Sequence, residues 1–433
     1  MKILSTKKYS PTKIMEIIRR KQSKKTDVES AVLNIIRDVR EKKDRALFSL
    51  TKKFDGASLK KLEVSKEEIA MAYSVVDKNV ITAIKSAKTN IEKFHKGNVV
   101  KKEPAVSTAK GVSIWREFRP IEKVGLYIPG GKAAYPSTVL MLAIPAKIAG
   151  CKEIILCVPP NKNGEVPTPV LIAADICGVS KIFKVGGAQA IAAMAYGTES
   201  VPKVSKIFGP GNSYVTTAKM MVYGEVAIDM PAGPSEILIM ADESANPNWI
   251  AADLLSQLEH GNDSQAIFIT LSLTLAKQVK QKVFEQAIML NRKEIIEKSL
   301  LNSFIIIANG QNQACDLINE YAPEHLEIAT KNANKILKKI NNAGSVFLGN
   351  YSSEPLGDYA TGSNHTLPTS SYAKMFSALS VESFGKKMQI QNVSKTGIKN
   401  LKKTAETLAT AEGLDAHKNA ISIRFNNHPN QSG

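Results

Sequence analysis

At 433 residues the chain exceeds what one hydrophobic core organises, so two large lobes with smaller appendages are expected. Hydrophobic residues at 43% and charged residues at 23% fit a soluble globular protein, and no apolar run reaches the ~20 residues that a membrane helix needs. The formal charge of +18 is mainly a lysine excess spread along helix-like stretches with few aromatics between them, which reads as a solvated surface rather than a nucleic-acid footprint.

In chain order, the basic N-terminus lacks the apolar core and cleavage site of a secretory signal, so a cytoplasmic protein is expected, opening with a helical arm over 1–25. "DVESAVLNIIRDVREKKDRALFSLTKKFD" has apolar positions at a helical period, with Asp27 or Ser30 as its cap. "VSIWREFRPIEKVGLYIPGG" alternates and is β-branched, predicting strands that run into a glycine turn. From about 125 to 240 the short apolar strands "EIILCVPP", "KIFKVGG", "KIFGPG" and "EVAIDMP" alternate with helix-like segments, the rhythm of βαβ units on a parallel sheet. A second alternating series runs from "SEILIMAD" to "GSVFLGN". A lysine-rich tail then supplies a strand, "KMQIQNVS", and a final helix. The expected fold class is therefore α/β, with two Rossmann-like lobes and parallel-rich sheets. The first lobe comprises 26–124 and 236–380, the second comprises 125–235, and 381–433 is a C-terminal appendage.

Three glycine-rich segments, "YIPGGKAAYPST", "VGGAQA" and "FGPGN", fall just after strands, where backbone amides and helix N-termini suit phosphate groups. None is GxGxxG, and by themselves they read first as glycines at tight turns, with nucleotide binding as the alternative. The four cysteines lack metal-ligand spacing and sit in apolar contexts, so reduced, buried thiols are expected.

The polar candidates are scattered. Gln257 and His260 in "LLSQLEHGNDSQ" share a face if helical, as two ligands of one ion would, or as a surface glutamine and a histidine favoured by the helix dipole. Asp358 and His365 lie in the glycine-punctuated "LGDYATGSNHTLPT", and Glu412 and His417 in "AEGLDAHKNAISIR". Together Gln257, His260, Asp358 and His417 offer N and O ligands without a thiolate, a set that fits an open, catalytic Zn²⁺ site. His95 and His428 read as ordinary surface residues. In "YAPEHLEIAT", Glu324 and His325 follow Pro323 and are either the polar first turn of a helix or two separate acid/base groups.

Taken together, "YIPGGKAAYPSTVLM", "VGGAQAIAAMAYGTESVPKVSKIFGPGN", "IDMPAGPSE", "DLLSQLEHGNDSQ", "APEHLEI", "GDYATGSNHTLPT" and "EGLDAHKNAI" resemble the histidinol dehydrogenase family from about residue 120 to 422. The resemblance implies a zinc- and NAD⁺-dependent, four-electron oxidation of L-histidinol to L-histidine through a retained aldehyde. It implies one Zn²⁺ per subunit on Gln257, His260, Asp358 and His417, and Glu324 and His325 as the acid/base pair. Substrate contacts would fall at Ser235, Gln257, His260, His325, Asp358, His365, Glu412 and His417. NAD contacts would fall at Tyr127, Gln189 and Asn212, making 125–235 the cofactor lobe and 26–124 with 236–380 the catalytic one. It also implies a homodimer, with the 381–433 appendage completing the partner's site, and no nucleic-acid or membrane partner. Two other enzymes remain to be distinguished: an aldehyde dehydrogenase with Cys315 as nucleophile, and a zinc hydrolase that needs no nicotinamide.

Overall fold

The computed structural model of the chain describes residues 1–19, 25–99, 102–130, 134–231 and 233–425, so His428 lies outside the described residues. The chain opens with β1 (Lys2–Ser5), α1 (Pro11–Ile18), α2 (Lys25–Asp55), α3 (Lys66–Val75) and α4 (Lys78–Gly97), followed by β2 (Val106–Ala109) and β3 (Val112–Pro120). Next come β4 (Lys123–Tyr127), α5 (Pro136–Ala149), β5 (Glu153–Cys157), α6 (Thr168–Ile176), β6 (Lys181–Phe183), α7 (Gly187–Tyr196), β7 (Lys206–Phe208), α8 (Ser213–Val222) and β8 (Ala227–Ile228). The second series is β9 (Glu236–Ala241), α9 (Pro247–Leu258), β10 (Gln265–Thr270), α10 (Leu273–Ala287), α11 (Lys293–Leu300), β11 (Phe304–Ile307), α12 (Gln311–Tyr321), β12 (His325–Ala329), α13 (Ala333–Leu337), β13 (Ser345–Leu348) and α14 (Glu354–Tyr359). The chain closes with β14 (Gly385–Val393), α15 (Lys395–Ala411) and α16 (Asp415–Ser422).

Two compact units result: 1–99 with 121–384, and 100–120 with 385–433. The larger holds two wholly parallel sheets, ordered β6-β5-β4-β7-β8 and β1-β11-β10-β9-β12-β13. The expected α/β class and both alternating series are borne out. In the five-stranded sheet the chain starts at the central β4, runs out to one edge, then returns to the other side of β4; β9 to β13 repeat that path in the other sheet, where β1 from the start of the chain adds an edge beside β11. The order reverses between β4 and β7 in one sheet and between β9 and β12 in the other, the places where open α/β sheets form crevices. The smaller unit is an antiparallel sheet, β14-β3-β2, in which β14 pairs with β3 over its whole length, followed by the α15–α16 pair.

Three expected boundaries differ from the structure. Residues 1–25 are not a purely helical arm, because β1 adds a parallel edge strand to β11 and α1 buries Ile14 and Ile18 against the same sheet. Residues 26–97 do not join the 236–380 series. Helices α5, α6 and α7 are apolar nearly all round, so their outer sides also need cover. α2 packs on α7 and α8, α3 on α6, and α4 on α5 and α6, forming that second layer over the five-stranded sheet. Residues 106–120 belong to the smaller unit, whose C-terminal part begins at 385 rather than 381.

The helix read into "YAPEHLEIAT" is also replaced. α12 stops at Tyr321 because Ala322 is left-handed (φ 52°), and Pro323 follows. Residues 325–329 then form a buried central strand between β9 and β13. His95 is not a surface residue: α4 buries it to 1% exposure.

Candidate active site

Strand alternation organises the dyad. Leu326 and Ile328 enter the core beneath α12, whereas Ala329 packs on the opposite face with α9 and α10, which places His325 and Glu327 on that second side. Two buried polar side chains on the apolar face of a central strand require partners. Glu327 accepts from the Glu354 backbone N–H at 2.8 Å, and burial beside Asp253 raises its carboxyl well above the usual range. His325 Nδ1 lies 3.1 Å from the Glu236 carbonyl oxygen, which can only accept, so Nδ1 carries the proton and Nε2 holds the free lone pair.

Around that lone pair stand two carboxylates. Glu354 Oε1 is 3.7 Å and Asp358 Oδ1 3.8 Å from His325 Nε2. Both acids lie on α14, four residues apart and so on one face. Burial and the Glu354 charge raise the Asp358 carboxyl well above its ordinary range. Burial lowers the His325 and His260 imidazoles, and lowers His365 to about 4, so all three are neutral near pH 7. His365 is held at both nitrogens, Nδ1 3.1 Å from the Asp358 carbonyl and Nε2 3.3 Å from Thr138 Oγ1 at the start of α5. This contact, and Asn364 Nδ2 donating to the Met141 carbonyl at 2.7 Å, tie the loop after α14 to the five-stranded lobe.

Glu324 sits on the other side of the imidazole, its Oε2 3.7 Å from His325 Nδ1 and accepting from Glu236 N–H at 2.9 Å. In return Glu236 Oε1 accepts from the N–H groups of Glu324 and Ser370. Gly344 carries no Cβ because one would lie 2.6 Å from the Glu324 carbonyl oxygen.

Of the expected ligands, Gln257 lies in the last turn of α9 with its side chain buried. His260 falls just past the helix cap, its N–H reaching back to the Gln257 carbonyl at 3.4 Å, rather than on the helix itself. The carboxylate of Glu354, joined to α9 by Ser256 Oγ at 3.1 Å, was not foreseen. Its position four residues before Asp358 was the available signal. Ser235 stands immediately before β9, and the Gln265 N–H donates to its carbonyl. Glu412 and His417 belong to the smaller unit, where both are exposed. Three buried acceptors in the larger unit, Gln257 Oε1, His325 Nε2 and Glu354 Oε1, have no hydrogen-bond partner. Ligand atoms of His325, Glu354 and Asp358 lie within 4.8 Å of one another. Unused N and O lone pairs in a buried cluster suit a borderline divalent ion such as Zn²⁺, but of the three residues that converge here only Asp358 belongs to the ligand set the resemblance implies.

The three expected cofactor contacts gather at the carboxyl end of the other sheet. Tyr127 ends β4, Gln189 lies in the first turn of α7, and Asn212 caps α8, its Oδ1 accepting from Val215 N–H at 3.1 Å. Tyr127 Oη accepts from the Gly187 N–H at 3.1 Å across the crossover that reverses the strand order. Gly209 has φ 119°, and a Cβ there would lie 2.2 Å from the Tyr127 carbonyl oxygen, so only glycine lets the loops after β4 and β7 approach this closely. Beneath, buried Lys219 pairs with Asp229 and donates to the Gly209 and Met230 carbonyls, tying the loop after β7 to the one after β8. Glycine turns and a capped helix start at a strand reversal fit a dinucleotide's phosphates.

Two doubly wound lobes, one ending in glycine-rich turns that suit phosphate groups and the other holding neutral imidazoles among buried carboxylates, are the equipment of an enzyme. The sequence profile of histidinol dehydrogenase matches residues 18–425. The chain is 53% identical to histidinol dehydrogenase from Bacteroides fragilis over 95% of its own length and 96% of the relative's, and 51% identical to that of Methanocaldococcus jannaschii over 95% of both. The crystal structure of histidinol dehydrogenase from Elizabethkingia anophelis superimposes with a TM-score of 0.94 over 98% of both chains, at 47% identity. The chain belongs to the histidinol dehydrogenase family and is an oxidoreductase. No helix among the described residues is long and apolar enough to cross a membrane.

Proposed function

We propose that this protein oxidises L-histidinol to L-histidine through bound L-histidinaldehyde, in the last steps of histidine biosynthesis in the cytoplasm. Family membership supports the substrate, and the fixed tautomer of His325 is the observation that carries the chemistry. With Nδ1–H committed to the Glu236 carbonyl and burial keeping the ring neutral, Nε2 is an open base, poised to take the proton of the substrate hydroxyl. Glu324, backed by the Glu236 main chain, is assigned to activating the water that hydrates the aldehyde. His365, clamped at both nitrogens, and Ser235 would hold the substrate.

Gln257, His260 and Asp358, with His417 and Glu412 from the smaller unit of a partner subunit, would hold zinc and substrate in a homodimer. Tyr127, Gln189 and Asn212 would hold NAD⁺ on the lobe of residues 125–235. When bound, zinc would supply positive charge to fix the substrate, and two NAD⁺ molecules, consumed in succession, would each accept one hydride. Enclosing the cluster between α9, β12 and α14 keeps the aldehyde from amines in solution.

The test is the yield of NADH per histidinol consumed. Two are expected with histidine as the product; one, or none, sinks the reading. Absence of nicotinamide reduction with turnover of an ester or amide would instead favour a zinc hydrolase.

A further inference from the structure

The end of α2 carries two polar groups that the fold leaves unanswered. Thr51 Oγ1 and Asp55 Oδ2 are buried and have no hydrogen-bond partner. They stand one turn apart, on the stripe that Leu47 begins, and Leu47 belongs to the same buried core cluster as Tyr127 and Cys157, the last residues of β4 and β5. Gly56 then ends the helix, and a Cβ there would meet Lys162 Cγ at 3.5 Å, so the end of α2 rests on the loop that leaves β5.

For stability this is a poor place for a carboxylate. It is desolvated, and it sits at the negative end of a helix dipole. Burial raises the Asp55 carboxyl to about 6. An acid left in such a place without a donor from the chain points to a donor that arrives with a ligand.

Its position identifies the donor. In doubly wound dinucleotide sites an acid following the second strand accepts from the 2′-hydroxyl of the adenosine ribose. Here β5 is the second strand, and it leaves through Val158, Pro159, Pro160, Asn161 and Lys162 without a carboxylate. The first acid after it, Glu165, accepts from the Asn161 amide instead. α2 brings an acid to that place from another part of the chain.

We propose that Asp55, backed by Thr51, is the hydroxyl acceptor for the adenosine ribose of NAD⁺ and selects it over the 2′-phosphorylated dinucleotide. This rests on the reading that the five-stranded lobe binds NAD⁺. The unphosphorylated 2′-hydroxyl donates to Asp55, whereas a 2′-phosphate would set two negative charges together in a buried place.

The experiment uses full-length Asp55→Asn and Asp55→Ser, with NAD⁺, NADP⁺ and the NAD⁺ analogue lacking the adenosine 2′-hydroxyl as cosubstrates. Thermal unfolding without cofactor is measured alongside. In Asp55→Asn, KM for NAD⁺ should rise about ten- to a hundredfold with kcat little changed, the worth of one hydrogen bond to a charged group. The wild-type enzyme should disfavour the deoxy analogue by a similar factor and either variant by far less, and NADP⁺ should be used better by Asp55→Ser than by the wild type. Both variants should unfold at or above the wild-type temperature, which the loss of a structural contact would not produce. Unchanged KM, full discrimination against the deoxy analogue in the variants, or lowered melting with unchanged cosubstrate preference would overturn the assignment. Wild-type enzyme that never reduces NAD⁺ would instead overturn the reading beneath it.

Discussion

Apart from the edge strand β1, the two parallel sheets share one order of strands but carry their candidate sites at opposite ends. In the five-stranded sheet Tyr127, Gln189 and Asn212 lie beyond the carboxyl ends of β4, β6 and β7, at the reversal of strand order. In the six-stranded sheet the corresponding carboxyl end is a shallow groove whose Asp242 and Glu243 are satisfied by neighbouring N–H and hydroxyl groups. Its chemistry gathers at the amino ends of β9 and β12, around Glu236, Glu324 and His325. Carboxyl ends offer loops, backbone amides and helix starts, which suit phosphates. The amino end here offers side chains on the strand itself, pinned by main-chain hydrogen bonds, which suits groups that must hold one tautomer.

That contrast can be broken by mutation. At the amino end, His325→Asn should lower kcat by roughly a thousandfold or more in both oxidations, a loss on the scale of general-base removal. Rates from histidinol and from histidinal measured separately would check this, and a loss in only one half would reassign the residue. Glu324→Gln should cost on the order of a hundredfold, mostly in the aldehyde-to-acid half, seen as accumulation of the aldehyde level in single turnovers; unchanged conversion to histidine would be falsifying. At the carboxyl end of the other sheet, Gly209→Ala should destabilise by about 1–3 kcal/mol and raise KM for NAD⁺, because the Cβ has no room. If the two ends are separate devices, zinc content measured by atomic emission stays at the wild-type level in this variant.

A pH effect sharpens the comparison from outside both ends. His95 is buried, with Nε2 unpartnered, and burial lowers it from 6.5 to about 4. The folded protein therefore binds this proton more weakly than the unfolded chain does. The histidine's contribution is intact above pH 6.5 and falls away towards pH 4, by roughly 3 kcal/mol in all. Urea unfolding at several pH values should show a shallower acid loss in His95→Phe than in the wild type. The smallest effect belongs to Cys315, buried in α12 with its thiol raised by desolvation: Cys315→Ser should keep turnover within about twofold. A large loss would revive the thiol nucleophile.

The sequence made the carboxyl-end elements legible because apolar strands followed by glycines announce themselves locally. The fold class and both βαβ series followed from the same rhythm. It misled at "EHLEIAT", where His325 and Glu327 occupy the buried face of a strand. His325-Leu326-Glu327-Ile328 does alternate as a strand does, but over only four residues, and the preceding Pro323-Glu324 suggested a helix start. Glu354 escaped because it resembles an ordinary acidic first turn, and its meaning comes from β12 and α9 folding over it. The second helical layer was assigned to the other lobe because an amphipathic stripe states that a helix is covered, not by what.

The anchor of His325 is a peptide carbonyl rather than a side chain. No single substitution at residue 236 can delete it, although the carboxylate of Glu236 that braces Glu324 and Ser370 can be lost. Under random mutagenesis the two functions of one residue should therefore separate: changes at 236 should loosen the loop around Glu324 while leaving the proton on the same nitrogen of the imidazole. The tautomer of the proposed base is thus encoded in the path of the backbone.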